Sequence, residues 1–287
     1  GASIDIEQGY IIAKAKRLKA AKIAFDVASV GATGNVMMAA VLARGTTLIK
    51  NAAMEPEITA LAQFLMKMGA RIDGIGTHQL EIEGVDALTP VDDVMIPDRI
   101  EAGTFLAAAA ITGGNVRIER CKPGHLTAEI AKFKKAGCVL EVGDNWIRIK
   151  APKTLRPVDV TTAVYPGFPT DMQAQWITLM TTARGVSTIT DDIYFDRFKH
   201  VPELIRLGAE ITLVKNAATV RGVKRLTGAK VMSPDLRAAA SLVLAGLAAA
   251  GKTEVLRVYH LDRGYERLEK KLHALGASIR RVAGKEY

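Results

Sequence analysis

Four times along this chain the same pattern returns: a polar residue opening an apolar helix, a glycine, a strand, a second helix, and a glycine followed by a small residue. The openers are Ser29, Asp98, Asp171 and Asp235, and the glycines that close the first helices are Gly45, Gly114, Gly185 and Gly251. Gly69-Ala70, Gly137-Cys138, Gly208-Ala209 and Gly276-Ala277 end the second helices. A period of about seventy residues is longer than that of short solenoid units, so each repeat reads as a sizeable α/β module. Polar residues at matching places then converge in space if the modules surround an axis.

The first helices, predicted over 35–43, 104–111, 172–182 and 236–250, are apolar nearly all round, as expected of helices buried on every side. The second helices, over 57–68, 128–135, 201–207 and 265–275, mix apolar and charged residues at helical spacing and should keep one wet face. Short β-branched runs at 46–49, 116–118, 187–190, 210–214, 219–222 and 254–256 read as strands, with hairpins through Gly143-Asp144-Asn145 and Lys215-Asn216. The unit is β-α-β-α-β-β. Helices more apolar than the strands around them predict an inside-out α/β barrel, with helices at the core and sheets outside. The alternative is an ordinary sheet with helices outside.

A formal charge of +9 favours anionic partners. The basic residues are scattered and aromatics make up only 5% of the chain, which counts against nucleic acid as the ligand. The two cysteines, Cys121 and Cys138, lack metal-ligand or redox spacing and read as small core residues of a cytoplasmic protein. The longest apolar stretch, 242–250, is too short to insert in a membrane. The chain begins Gly1-Ala2-Ser3 without a methionine, as a fragment or processed product would.

Several helix N-termini aimed at one place would form an anion site. Arg99, Arg197, Arg237 and Arg263 lie near these ends and could bind a phosphate or carboxylate bidentately. Taken singly, each reads instead as a surface charge paired with Glu101, Asp196, Asp235 or Asp262. Asp171 is the sharpest candidate. As a carboxylate at a buried helix start it could take a proton from a hydroxyl if its pKa rises toward neutrality, and it could equally be only a helix cap. The glycine-tolerant run Ser29-Val30-Gly31-Ala32-Thr33 lacks both nucleotide-loop signatures. His125, His200 and His260 precede second helices and have no metal-ligand spacing, so polar packing or support of the site is expected of them.

Six separated segments, 26–33, 55–58, 97–104, 168–175, 235–238 and 260–267, resemble in order the UDP-N-acetylglucosamine enolpyruvyltransferases. The resemblance runs the length of the chain. It implies two inside-out domains of three modules each, four of the six modules being present here: 1–96 as one module of a UDP-sugar-side domain, and 97–287 as a nearly complete second domain. It also implies transfer of the enolpyruvyl group of phosphoenolpyruvate to the 3-hydroxyl of UDP-N-acetylglucosamine with release of phosphate, without metal or cofactor. By that resemblance Asp171 is the acid/base group. Val27, Ala28, Ser29, Val30, Gly31, Ile193 and Tyr194 hold the nucleotide sugar with Glu55 and Asp171, while Arg197, Asp235, Arg237 and Arg263 bind phosphoenolpyruvate. Val27 stands where many members carry a basic residue, and Tyr165 where some carry a histidine. Members also have a further N-terminal stretch with a lysine-asparagine pair that binds phosphoenolpyruvate, an arginine-rich nucleotide contact, and a mobile loop bearing the cysteine or aspartate proton donor. A separate segment would have to supply these, and the chain alone is expected to be inactive. The rival readings are transfer to shikimate phosphate, and a non-catalytic module that binds a UDP-sugar or nucleic acid.

Overall fold

The computed structural model describes residues 1–283. In chain order the elements are β1 (Ser3–Glu7), β2 (Tyr10–Lys14), β3 (Lys22–Ala24), α1 (Val30–Ala40), β4 (Thr46–Lys50), α2 (Pro56–Lys67), β5 (Arg71–Asp73) and β6 (Gln79–Glu83). Then come α3 (Arg99–Ile111), β7 (Asn115–Glu119), α4 (Thr127–Lys135), β8 (Val139–Val142), β9 (Trp146–Lys150), β10 (Val160–Thr161), α5 (Gln173–Met180) and β11 (Val186–Thr190). The chain continues through α6 (Val201–Arg206), β12 (Glu210–Val214), β13 (Ala217–Arg221), β14 (Lys230–Met232), α7 (Leu236–Ala248), β15 (Glu254–Leu256) and α8 (Leu268–Ala274). Short 3-10 turns at Pro123–His125, Thr170–Met172 and Val258–Arg263 precede α4, α5 and α8.

Two compact units result, the first made of Gly1–Ile96 with Val164–Pro166, and the second of Pro97–Ala163 with the described residues from Gly167 on. In the first unit, β3-β4-β6-β5 form a mixed sheet in which only β3 and β4 run parallel. Its core joins Met37 and Val41 of α1, Ile58, Ala62 and Leu65 of α2, and Ile49, Leu80 and Ile82 of the strands. The buried positions of α2 recur every three or four residues, which gives that helix one dry stripe and one wet face.

The second unit carries three sheets, ordered β7-β9-β8, β10-β11-β13-β12 and β14-β15. Under them lie α3, α5 and α7. All eight residues of α5 are buried, as are Leu106 to Ile111 of α3 and Ala238 to Ala245 of α7. The strands alternate: in β9, Ile147 and Ile149 are buried while Arg148 and Lys150 face solvent, as one-sided sheets require. Small residues let the helices approach. A Cβ on Gly103 would stand 2.9 Å from the Met172 sulfur. Trp176 of α5 fills the centre, edge-on to Phe133 and Phe168 at centroid distances of 5.2 and 5.5 Å, each contact contributing about 1 kcal/mol. Its indole N–H donates to the Val158 carbonyl at 3.1 Å.

Helices inside and sheets outside therefore hold for the second unit, but the sheets do not close into a barrel. They remain separate ladders, each with its own edges. The full β-α-β-α-β-β order is carried by β3 to β6 and by β10 to β13. Among the described residues no strand of the second unit precedes α3, and no hairpin follows α8. The helix predicted over 265–275 begins later, at Leu268, because Arg267 takes a left-handed φ of 47° and the preceding turn buries Tyr265.

Candidate active site

Three of the four polar helix openers are caps. Ser29 accepts from the Ala32 amide at 3.3 Å, Asp98 from Ile100 and Glu101 at 2.7 and 3.1 Å, and Asp235 from Arg237 and Ala238 at 2.9 Å each. Asp171 is not a cap. The 3-10 turn Thr170–Met172 comes between Pro169 and α5 and leaves Met172 at the cap position, so the Asp171 carboxylate is directed elsewhere. Its Oδ1 accepts from Arg197 Nη2 at 2.6 Å and from Arg237 Nε at 3.2 Å. Burial pulls the carboxyl pKa up, but the charges and hydrogen bonds of Arg237 and Arg197 outweigh it and hold Asp171 below the usual carboxylate range. The rise toward neutrality that the sequence reading set as the condition for base chemistry is absent here, and the shift runs the other way.

Each arm of this clamp has its own support. Arg237 is the second residue of α7, and Asp235 fixes its backbone. Burial works against the Arg237 charge, yet Tyr265 and Asp171 raise its pKa, so it stays a cation. Arg197 lies in the loop after β11, and that loop is tied down by Asp191, a fully buried carboxylate that sequence reasoning missed. Asp191 accepts from Thr162 and Thr170 hydroxyls at 2.7 Å each and from the Ile193 and Tyr194 amides at 3.1 and 2.9 Å. Thr170 Oγ1 in turn accepts from Arg197 Nη1 at 3.0 Å. One carboxylate thus binds the segment carrying Ile193, Tyr194 and Arg197 to the turn carrying Asp171. The sequence signal was an aspartate directly after a β-branched strand, where side-chain-to-amide turns form.

The arginine pairings expected from neighbours in sequence do not form. Asp196 pairs with Lys199, Glu101 with Lys271 and Asp262 with Arg281, Asp235 is occupied as a cap, and Arg99 is buried beside Glu129. Arg263 is exposed and makes no hydrogen bond among the described residues, so it lies outside the clamp. His200 is fully buried at the start of α6. Burial lowers its pKa to about 4, Asp235 acting in the opposite sense and Arg197 with it, so the ring is neutral at pH 7. Both cysteines are buried with thiols pushed up by burial, Cys138 to about 11, which makes them packing residues.

In the first unit, Val27, Ser29, Val30 and Gly31 are exposed, Ala28 is half-buried, and the strip leads into the N-terminus of α1. A Cβ on Gly31 would meet nothing within 4 Å, so the scaffold does not demand glycine there. Glu55 precedes α2 but does not cap it, and its half-buried carboxylate makes no hydrogen bond among the described residues. A cavity of about 500 Å³ lies away from all these residues, at the C-terminal ends of α3 and α5 between Lys153, Arg184 and Lys224. Among the described residues no His/Cys/Asp/Glu group could hold a metal, and no helix is long and apolar enough to cross a membrane.

A carboxylate clamped by two guanidiniums above buried helices and mixed sheets fits enzymes that handle small anionic substrates. The chain is of the enolpyruvyl (carboxyvinyl) transferase class. It belongs to the EPSP synthase family, whose sequence model, 3-phosphoshikimate 1-carboxyvinyltransferase, matches residues 1–272. It is 63% identical over its whole length to UDP-N-acetylglucosamine 1-carboxyvinyltransferase of Chloroherpeton thalassium and spans 67% of that protein. Among solved structures, the enolpyruvyl transferase NikO from Streptomyces tendae superposes with a TM-score of 0.88 at 28% identity, over 97% of this chain and 69% of that one. An EPSP synthase from Acinetobacter baumannii, 18% identical, shares the fold with a TM-score of 0.74 over 99% of this chain and 69% of its own.

Proposed function

We propose that the chain is the greater part of a cytoplasmic enzyme that transfers the enolpyruvyl group of phosphoenolpyruvate to the 3-hydroxyl of UDP-N-acetylglucosamine, the first committed step of peptidoglycan synthesis. The observation that carries this reading is the clamp of Arg197 and Arg237 on Asp171. The 63% identity to a carboxyvinyltransferase named for this acceptor supports the choice of sugar over shikimate phosphate.

In the reaction the sugar oxygen bonds to C2 of the enolpyruvyl group, its proton passes to Asp171, and C3 gains a proton. C3 then loses a proton as the C2–O bond to phosphate breaks. Positive character at C2 and negative charge on the leaving phosphate both call for fixed charges around the substrate. The clamp suggests how the base is activated. Phosphoenolpyruvate brings a phosphate and a carboxylate that compete for Arg197 and Arg237. As the guanidiniums turn to the substrate, Asp171 loses the charges that depress its pKa and becomes a better base where the hydroxyl lies. Asp235 holds Arg237 in register, and exposed Arg263 is available as a third anion contact. Val27, Ala28, Ser29, Val30, Gly31 and Glu55, with Ile193 and Tyr194, take the nucleotide sugar. The solvent-facing strip before α1 and the unoccupied Glu55 carboxylate support that assignment.

Residues 1–96 then form one module of a three-module domain, and 97–287 most of the second, in a fold of six modules. The proton donor to C3 belongs to the part of its relatives that the chain does not span, so the chain alone should bind substrates but not turn over. Phosphate release from phosphoenolpyruvate and UDP-N-acetylglucosamine, measured with and without a chain supplying that part, tests this. Full turnover by the chain alone overturns the half-site view. Turnover with shikimate phosphate in place of the sugar overturns the acceptor.

A further inference from the structure

Tyr265 is absent from the site assignments above, yet it is the point on which the three buried helices meet. It is 1% exposed, and its hydroxyl lies 2.9 Å from Thr104 Oγ1 of α3, 3.2 Å from Gln175 Nε2 of α5 and 3.2 Å from Arg237 Nη1 of α7. The hydrogens can be placed by elimination. Thr104 gives its own proton to the Ile100 carbonyl at 2.8 Å, so it must accept from the phenol. Arg237 has only donors, so Tyr265 accepts from it. Burial raises the Tyr265 pKa, so the group remains a phenol through the working pH range.

Arg237 is therefore held at two points of very different kind. Nε is held by Asp171, whose carboxylate is 37% exposed and is itself asked to bind a hydroxyl. Nη1 is held by a phenol locked into the core from the far side. Nη2 makes no hydrogen bond among the described residues and is left for a ligand. When an anionic substrate draws the arginines from Asp171, the phenol is the hold that stays. We infer that Tyr265 is the positioning residue for Arg237, fixing the guanidinium so that its remaining N–H groups meet the phosphate or carboxylate of the substrate without first being ordered. The inference rests on the reading of Arg237 as an anion contact. It adds a residue on α8's approach segment to a site otherwise built from α7 and the turn before α5. Arginine carries large rotamer entropy, so prior fixation favours binding of the anion specifically.

The test uses the whole chain in two measurements. In the first, side-chain ¹⁵N NMR follows rotation of the Arg237 guanidinium without ligand, assigned by its loss in Arg237→Lys. Slow rotation in the parent and fast rotation in Tyr265→Phe is the expected result. Unchanged rotation overturns the inference whatever any ligand does. In the second, calorimetry compares phosphoenolpyruvate with UDP-N-acetylglucosamine. Tyr265→Phe should weaken phosphoenolpyruvate about tenfold, leave the nucleotide sugar within about twofold, and add no further loss on the Arg237→Lys background. Equal weakening of both ligands, or full additivity with Arg237→Lys, marks a merely structural role and overturns it. Thr104→Val removes the acceptor behind the phenol together with the Thr104 bonds to Gln175 Nε2 and the Ile100 carbonyl, leaves the phenol itself in place, should give the same pattern at smaller size, and keeps the inference testable if Tyr265→Phe folds poorly. A parent chain that shows slow guanidinium rotation but no phosphoenolpyruvate binding sinks the proposed function, while the rotation arm still decides the role of Tyr265.

Discussion

The stretch from β3 to β6 and the stretch from β10 to β13 are the same scaffold built twice. The strand orders and directions are identical. The closing bonds also match: Gly84 to Gly45 and Val85 to Val41 in one, Gly222 to Gly185 and Val223 to Thr181 in the other, all between 2.7 and 3.0 Å. The two part company at the start of the first helix. α1 has eleven residues and a serine cap, whereas α5 has eight, follows a 3-10 turn and has no side-chain cap. Removing a carboxylate from capping duty leaves it available for two guanidiniums. The repeat shows what the scaffold requires, and the departure from it falls at the residue for which acid/base chemistry is proposed.

The largest effect should come from that departure. Asp171→Asn keeps the shape and removes the charge. In the assembled transferase it should lower the rate of phosphate release by about 10²- to 10⁴-fold. Affinity of the chain for phosphoenolpyruvate should hold or improve, because Arg197 and Arg237 lose an internal competitor. Unimpaired turnover in this variant would erase the distinction between the two helix starts.

The shared part of the scaffold should respond alike in both copies. A Cβ on Gly84 would lie 1.6 Å from the Ala43 carbonyl oxygen, and one on Gly222 would lie 1.5 Å from that of Ala183. Backbone cannot yield as a side chain end can, so Gly84→Ala and Gly222→Ala should each destabilise by about 3 kcal/mol or more. Urea unfolding of the two variants checks it. Tolerance at one position and failure at the other would mean that the modules only look equivalent.

The second helices differ in a way that pH can read. α2 and α6 both open with a proline in the first turn, after Glu55 in one case and His200 in the other. His200 is lowered by burial from 6.5 to about 4. Between these values the unfolded chain binds a proton that the folded chain refuses, so stability is full above about pH 6.5 and drains as pH falls toward 4. The total is up to roughly 3 kcal/mol. Chemical denaturation at pH 7 and pH 5 should show the loss, and His200→Gln should flatten it. An equal slope in the variant would place the proton uptake elsewhere.

Legibility in the sequence followed the range of each interaction. The repeat, the buried helices, the strand positions and three of four caps depend on residues within a few positions of each other, where periodicity and capping rules operate. Asp171, Arg197, Arg237 and Asp235 could be picked out as candidates because they sit at helix ends or in motifs. Their partners could not. Nothing local says that Arg197 reaches Asp171 across 26 residues and Arg237 across 66. Pairing by sequence proximity failed for the same reason, since Asp196 and Asp262 found other cations. Asp191 and Tyr265 went unseen because their importance lies in three or four bonds to distant elements. The barrel failed to close because closure depends on how sheet edges meet, which strand patterning does not encode.

The smallest effect concerns the caps themselves. Ser29 accepts one amide at 3.3 Å in an exposed setting, so Ser29→Ala should cost about 0.5 kcal/mol. Asp235 accepts two amides at 2.9 Å and is half-buried, so Asp235→Ala should cost about 1 to 2 kcal/mol. Thermal midpoints of the two variants give the ratio. The order bears on how the first module is used. A weak, solvent-facing hydroxyl that gives up little stability when removed can change partners, which a cap holding two short bonds cannot do. If Ser29→Ala proves as damaging as Asp235→Ala, the hydroxyl is committed to α1, and the nucleotide-sugar contact proposed for the strip before that helix is left to its backbone and apolar side chains alone.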